Sequence, residues 1–184
     1  WMKYQKALDP GKPFFMYFAP GATHAPHHVP QSYIDKYKGK FDEGWDAIRQ
    51  EILDRQIKLG IVPKGTKLAP KPEAIPEWET LSADQKRLYT KQVEVFAAYI
   101  DMVDYEIGRL IDAVDQIGQT ENTMVIFVYG DNGTSAEGGA NGMYSEMTYF
   151  NGVAETVPDM LKKIDKWGGP ETYQHMAAGW AVMF

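Results

Sequence analysis

Met124-Val125-Ile126-Phe127-Val128-Tyr129-Gly130-Asp131-Asn132-Gly133 is the stretch that decides the fold expected for this chain. Its β-branched and aromatic side chains, without polar alternation, are typical of a strand buried on both faces in a parallel sheet. Ligands of such open sheets collect at the carboxyl ends of the strands, where Asp131 and Asn132 stand. Their carboxylate and amide oxygens suit a hard cation such as calcium or magnesium. The structural alternative is a simple hairpin turn at Asn132-Gly133.

A second apolar run, residues 13–18, is also predicted to be a buried strand, and it leads into a loop rich in histidine and proline. This loop, residues 19–30, contains three prolines together with His24, His27 and His28. An imidazole there can donate a proton, bind a transition metal or contact an anion, although a surface or packing role is the alternative. The carboxyl ends of parallel strands share one sheet edge, so we expect this loop to lie near Asp131.

The segment between the two runs carries helical signals. Helices are predicted after Pro30, over residues 43–59, and from the capping box at Ser82 and Gln85 to about Ile117. A strand, a helical connection and a second strand are the parts of a right-handed βαβ unit. A further helix is expected to begin near Pro158, because proline suits the first turn.

Composition limits the class of partner. The formal net charge of -6 argues against a nucleic-acid partner, which would require a basic face. No apolar run approaches the roughly 20 residues that span a bilayer, so no transmembrane segment is expected. The absence of cysteine from the sequence excludes disulfides, thiolate metal sites and cysteine nucleophiles within these residues. Nothing in the composition determines the oligomeric state.

Four segments, in this order, carry a resemblance to a known family: His24-Ala25-Pro26 with Pro30, Tyr105-Glu106-Ile107-Gly108-Arg109-Leu110, Asp131-Asn132-Gly133 followed by Ser135-Ala136-Glu137-Gly138-Gly139, and Gly168-Gly169-Pro170 leading to Ala178-Gly179-Trp180. Over essentially its whole length the chain resembles the type I sulfatases, specifically the large bacterial arylsulfatases of the alkaline phosphatase superfamily. The resemblance implies an α/β fold, part of an alkaline-phosphatase-like three-layer sandwich with a mostly parallel sheet. It also implies that residues 1–184 are the central portion of the catalytic domain, with the N-terminal nucleophile region and the C-terminal part absent.

The resemblance assigns roles to particular residues. It implies that Asp131 and Asn132 are ligands of a calcium ion, and that His24 hydrogen-bonds the substrate sulfate or assists the leaving group. His27 also follows an Ala-Pro pair, so it is the alternative substrate-binding histidine. Family members use a formylglycine nucleophile made from the Cys or Ser of a Cys/Ser-x-Pro/Ala-x-Arg motif. No such motif occurs in these residues, and we expect it in the missing N-terminal part.

The expected function is hydrolysis of an aryl or related sulfate ester, a small-molecule substrate, to a phenol or alcohol and sulfate. The residues present would supply part of the calcium and sulfate site and would be inactive by themselves. A phosphodiesterase or phosphonate hydrolase of the same superfamily is one alternative, and a non-catalytic sulfatase-like binding module is another. The localisation is unknown from these residues; a periplasmic or secreted protein is only what the export of many bacterial relatives would suggest.

Overall fold

The computed structural model describes residues 1–130 and 133–183, and helices are its main regular structure. In these described ranges, four short 3-10 turns accompany the α-helices, at Trp78–Thr80, Thr120–Asn122, Ile164–Lys166 and Ala178–Met183. Within the described ranges, no helix combines the length and the apolar character that crossing a bilayer requires. The α-helices are α1 (Met2–Leu8), α2 (Gln31–Ile34), α3 (Gly44–Lys58), α4 (Ala83–Gln116), α5 (Glu146–Phe150) and α6 (Val157–Leu161).

The long helix α4 begins at the predicted capping box. The Ser82 hydroxyl accepts a hydrogen bond from the Gln85 backbone N–H at 3.2 Å, and the Gln85 side chain accepts one from the Ser82 N–H at 3.0 Å. Two of the backbone donors that a helix start leaves unpaired are thereby satisfied. The helix ends before Gly118, which has a φ of 65°. Glycine adopts this left-handed conformation at little steric cost because it has no Cβ atom. The predicted boundaries of this helix are therefore confirmed.

The core lies where α3, the first half of α4 and the C-terminal turn Ala178–Met183 meet. Trp45 of α3 packs edge-on against Trp78 and Trp180, with ring centroids 4.8 and 5.5 Å away. Gly179 allows this approach, because a Cβ atom built on it would lie only 2.5 Å from the Trp45 ring. The Trp180 indole N–H donates to the Tyr89 carbonyl at 2.9 Å, so the buried polar end of the ring is also satisfied.

The predicted α/β fold with a parallel sheet is wrong for the described residues. Residues 13–18 and 124–130 form no strand, and they make no backbone hydrogen bond with other described residues. Elsewhere among the described residues, strand pairing is limited to two isolated bridges, Met143 with His175 and Ser145 with Tyr173. An apolar run becomes a strand only where a neighbouring backbone pairs with it, and neither run has such a neighbour here. Most of their large side chains are exposed instead, with Phe15 at 86% and Val128 at 89% of full exposure, while Phe14 and Met16 are partly buried.

We expect these exposed apolar segments, 13–18 and 124–129, to drive self-association of the 184-residue chain. Large contiguous apolar surfaces are rare on monomeric proteins, because water favours covering them. Replacing both Ile126 and Val128 by lysine should weaken self-association by roughly tenfold or more, since charges oppose strand and patch contacts. Sedimentation velocity over a concentration series measures the change. Tyr4→Lys, at an exposed site of α1, is the control, and an equal effect of both changes would contradict the assignment.

Candidate functional site

The loop of residues 19–30, called the histidine loop below, places His24 at the surface. The His24 Nδ1–H donates to the Ala25 carbonyl at 2.7 Å, and the His24 backbone N–H donates to Gly21 at 3.0 Å. A carbonyl oxygen can only accept, so this contact places a proton on Nδ1 and leaves Nε2 of the ring available. An exposed imidazole with a fixed tautomer can accept a proton at Nε2 or, once protonated, donate one to an anion.

His27 lies in the same loop but in a different environment. Its side chain is buried against Phe96 and Tyr99, with ring centroids 5.0 and 5.6 Å away. The pKa of His27 is lowered to about 3, mainly because burial disfavours the charged ring, and also because of the charges of His175, His24 and His28, in that order of importance. The His27 ring is therefore neutral at physiological pH and has little access to a solute.

His28 and its neighbours attach the histidine loop to the C-terminal part of the chain. The His28 Nε2–H donates to the Thr172 carbonyl at 2.6 Å, and the Val29 N–H donates to Gly168 at 3.0 Å. The buried Gln174 amide donates to the His27 carbonyl at 2.5 Å. Three successive loop residues are thus bonded to residues 168–174.

His175 is a site residue that sequence reasoning missed. It is 4% exposed, and its ring centroid is 6.5 Å from that of His27. Its Nδ1 lies 3.8 Å from a Glu137 carboxylate oxygen, and its Nε2 lies 3.8 Å from one of Glu146. The Nε2 atom is buried and has no hydrogen-bond partner among the described residues. The only sequence signal was the scarcity of histidine, since the chain has four in all and three lie in one loop.

The predicted calcium ligands Asp131 and Asn132 lie outside the described residues. Across the ranges that are described, no three His, Cys, Asp or Glu side chains form a group that could hold a metal ion. Directly after the pair, Gly133 has a φ of 79°, and the buried Thr134 hydroxyl has no hydrogen-bond partner within the described part. A carboxylate, an amide oxygen and a neighbouring unpaired hydroxyl are oxygen donors, which is the ligand chemistry that calcium prefers. By the chemistry of their donor atoms alone, these residues are compatible with a calcium ion.

His175 links the two predicted site segments. The expectation that the histidine loop and Asp131 share a sheet edge is lost with the sheet. Instead Glu137, which follows Asp131 closely in sequence, meets His175, and His175 lies beside His27. The segment that follows the predicted calcium ligands is thereby connected to the histidine loop through one buried imidazole.

Comparison with known proteins decides the family. The sequence model of the sulfatase family matches residues 2–167, which include the histidine loop and Asp131. This chain belongs to the sulfatase family. The resemblance drawn from its motifs is confirmed. In this sulfatase chain, the family match ends at residue 167. The residues that bond to the histidine loop, Gly168, Thr172 and Gln174, lie beyond it.

Curated sulfatases align with large parts of the chain. It is 37% identical over 134 residues to an uncharacterized sulfatase of Schizosaccharomyces pombe, covering 72% of this chain and 24% of that protein. It is 34% identical over 143 residues to an arylsulfatase of Klebsiella aerogenes, covering 78% of this chain and 30% of that enzyme. A sulfatase of Formosa agariphila is 27% identical over 124 residues, covering 66% of this chain and 22% of the relative. The chain thus spans less than a third of the length of these relatives.

Proposed function

We propose that these residues are the central portion of the catalytic domain of an arylsulfatase-type sulfuric ester hydrolase. The reaction is hydrolysis of an aryl or related sulfate ester to a phenol or alcohol and inorganic sulfate. The observation that carries the proposal is the family match across residues 2–167, supported by the arylsulfatase relative of Klebsiella aerogenes. The formylglycine nucleophile of the family would come from sequence outside these residues, so the 184-residue chain alone would not turn over substrate.

His24 is the proposed contact to the sulfate group or to the leaving oxygen. His24 is exposed and its Nδ1 proton is held by Ala25, so Nε2 is the atom from which a protonated ring would donate to a sulfate oxygen or to the departing phenolate. The alternative, His27, is buried against two aromatic rings and has a pKa near 3, so it is a poor proton donor at neutral pH. These environments support the choice of His24 over His27.

Asp131 and Asn132 are the proposed calcium ligands within this part of the domain. A bound calcium ion supplies positive charge that neutralises sulfate oxygens as negative charge develops in the transition state. The chain's own contribution is to hold oxygen donors in place, with Gly133 turning the backbone immediately afterwards. Other ligands would come from parts of the enzyme outside these residues.

The test is His24→Ala in a protein with the full length of its relatives. We expect kcat for nitrophenyl sulfate to fall roughly 10²–10⁴-fold, the usual range for loss of a positioned proton donor. Gln31→Ala, an exposed change just beyond the loop, is the control and should leave kcat unchanged. An unchanged kcat in His24→Ala would overturn the assignment of this histidine.

The reaction class has a separate test. The wild-type enzyme is assayed with an aryl sulfate monoester and with an aryl phosphate diester under the same conditions, and kcat/KM is compared. A higher kcat/KM for the sulfate ester is expected. A preference for the diester would favour a phosphodiesterase of the same superfamily, and binding of sulfate esters without turnover would favour a non-catalytic module.

A further inference from the structure

We propose that Gln174 is a positioning residue that sets the conformation of the histidine loop and thereby the placement of His24. The inference rests on the proposed function for His24. Gln174 lies beyond residues 2–167, so the family match says nothing of it. It is 0% exposed, although a buried amide is costly unless both of its ends are hydrogen-bonded.

Both ends of the Gln174 amide are engaged. Its Nε2 group donates to the His27 carbonyl at 2.5 Å, and its Oε1 atom contacts the Thr172 hydroxyl, whose single proton is shared with the Gly169 carbonyl at 2.6 Å. The carbonyl of His27 can only accept, and so the amide has one suitable orientation, with nitrogen toward the loop. A buried side chain held at both ends has little freedom to let the His27 backbone shift.

Two neighbouring hydrogen bonds also attach the histidine loop to the C-terminal part of the chain. Thr172 also accepts a hydrogen bond from His28 through its carbonyl, and Gly168 accepts one from the Val29 N–H. The described polar contacts of His24 are local instead, to Gly21 and Ala25 within the same loop. The position of His24 relative to the rest of the protein therefore depends on how residues 27–29 are attached, and Gln174 supplies the fully buried attachment.

Gln92 provides a matched comparison. It is 1% exposed and is likewise bonded at both ends, donating to the Asn141 carbonyl at 2.8 Å and accepting from the Ala177 N–H at 2.9 Å. These bonds do not involve the histidine loop. Substituting either glutamine should lower the stability of the fold. A change in the histidine loop that follows only from substituting Gln174 can therefore be separated from this general loss.

The experiment compares Gln174→Met with Gln92→Met in a protein with the full length of its relatives. Methionine has a similar volume and removes the amide donor and acceptor. We expect both variants to lose thermal stability. Only Gln174→Met should speed amide hydrogen exchange in residues 21–29, by roughly tenfold or more, because local opening of the loop becomes easier. Only that variant should lower kcat roughly 10–100-fold with KM less affected, because a misplaced proton donor mainly affects the transition state.

Thr172→Val is the milder second variant, in case Gln174→Met does not fold. It leaves Gln174 in place but removes the hydroxyl that contacts its Oε1 atom, so changes of the same kind and smaller size are expected. Unchanged exchange in residues 21–29, or equal acceleration in Gln92→Met, would overturn the positioning role. Faster loop exchange with unchanged kcat would overturn the link to His24. An inactive wild-type enzyme would instead be a failure of the proposed function, and the exchange comparison would still test the attachment of the loop.

Discussion

Asp131→Ala is expected to abolish high-affinity calcium binding and sulfatase activity together in an enzyme of full length. Removing a carboxylate ligand leaves the cation with fewer oxygens and less negative charge around it. Mutating a residue that merely hydrogen-bonds to a metal ligand lowers metal affinity by about 10–100-fold. Loss of a direct ligand should therefore lower calcium affinity by at least ~100-fold. Isothermal titration with calcium measures the affinity, and a chromogenic aryl sulfate measures kcat in the same preparation.

Thermal unfolding provides an independent measurement for this variant. A ligand at 100 times its dissociation constant stabilises a folded protein by about 2.7 kcal/mol, so calcium should raise the melting temperature of the wild type. The shift should disappear in Asp131→Ala and persist in Asp54→Ala, which removes the same charge from an exposed site of α3. Calcium affinity equal to that of the wild type in Asp131→Ala would show that this residue is not a ligand.

Acid should destabilise the protein through His27. Its pKa is about 3 in the folded state and 6.5 as its ordinary value, so below pH 6.5 the unfolded state binds the extra proton. The stability associated with a neutral His27 is complete above pH 6.5 and is lost as the pH falls from 6.5 toward 3. At 1.36 kcal/mol per unit, the loss between pH 6.5 and 4.5 should be about 2–3 kcal/mol.

The measurement is the free energy of urea unfolding at a series of pH values between 7 and 4.5. His27→Met removes the titrating group and should flatten this profile by about the same 2–3 kcal/mol. Val93→Ala is the control, because it opens space at a fully buried apolar site and should lower stability equally at each pH. Parallel profiles for the wild type and His27→Met would contradict the assignment of the acid sensitivity to this histidine.

The helices were predictable because their signals are local. The Ser82 capping box and the proline of α6 are side-chain patterns within one turn, and both mark helix starts in the structure. The helix predicted over residues 43–59 corresponds to α3, and Gly60, which follows it, has a φ of 73°. Short-range signals of this kind do not depend on what packs against the helix.

The strands were not predictable from the same kind of pattern. The run from Met124 to Tyr129 shows only that these side chains favour an apolar environment. A strand also requires a partner backbone, and a composition pattern contains no information about which segment, if any, lies alongside. The described structure leaves both apolar runs exposed and unpaired, and the sheet expected from them is absent there.

The candidate site was predictable in part. The irregular histidine loop follows from its prolines, but the difference between His24 and His27 depends on burial by Phe96 and Tyr99, which are far away in sequence. His175 has no motif around it and enters the site through contacts with Glu137 and Glu146. The environments of these histidines depend on packing between segments that are distant in sequence. The spacing of residues in a motif contains no information about such packing.

The attachment of the histidine loop has a consequence for synthesis on the ribosome. His28 is bonded to Thr172 across 144 positions, and His27 to Gln174 across 147. At about 5–20 residues per second, the loop emerges roughly 7–30 s before its bonding partners have been translated. Throughout that interval a nascent chain exposes the His27 and Val29 backbone groups to water and to chaperones. Ribosome pausing between these segments would therefore prolong the time during which the future site is unassembled.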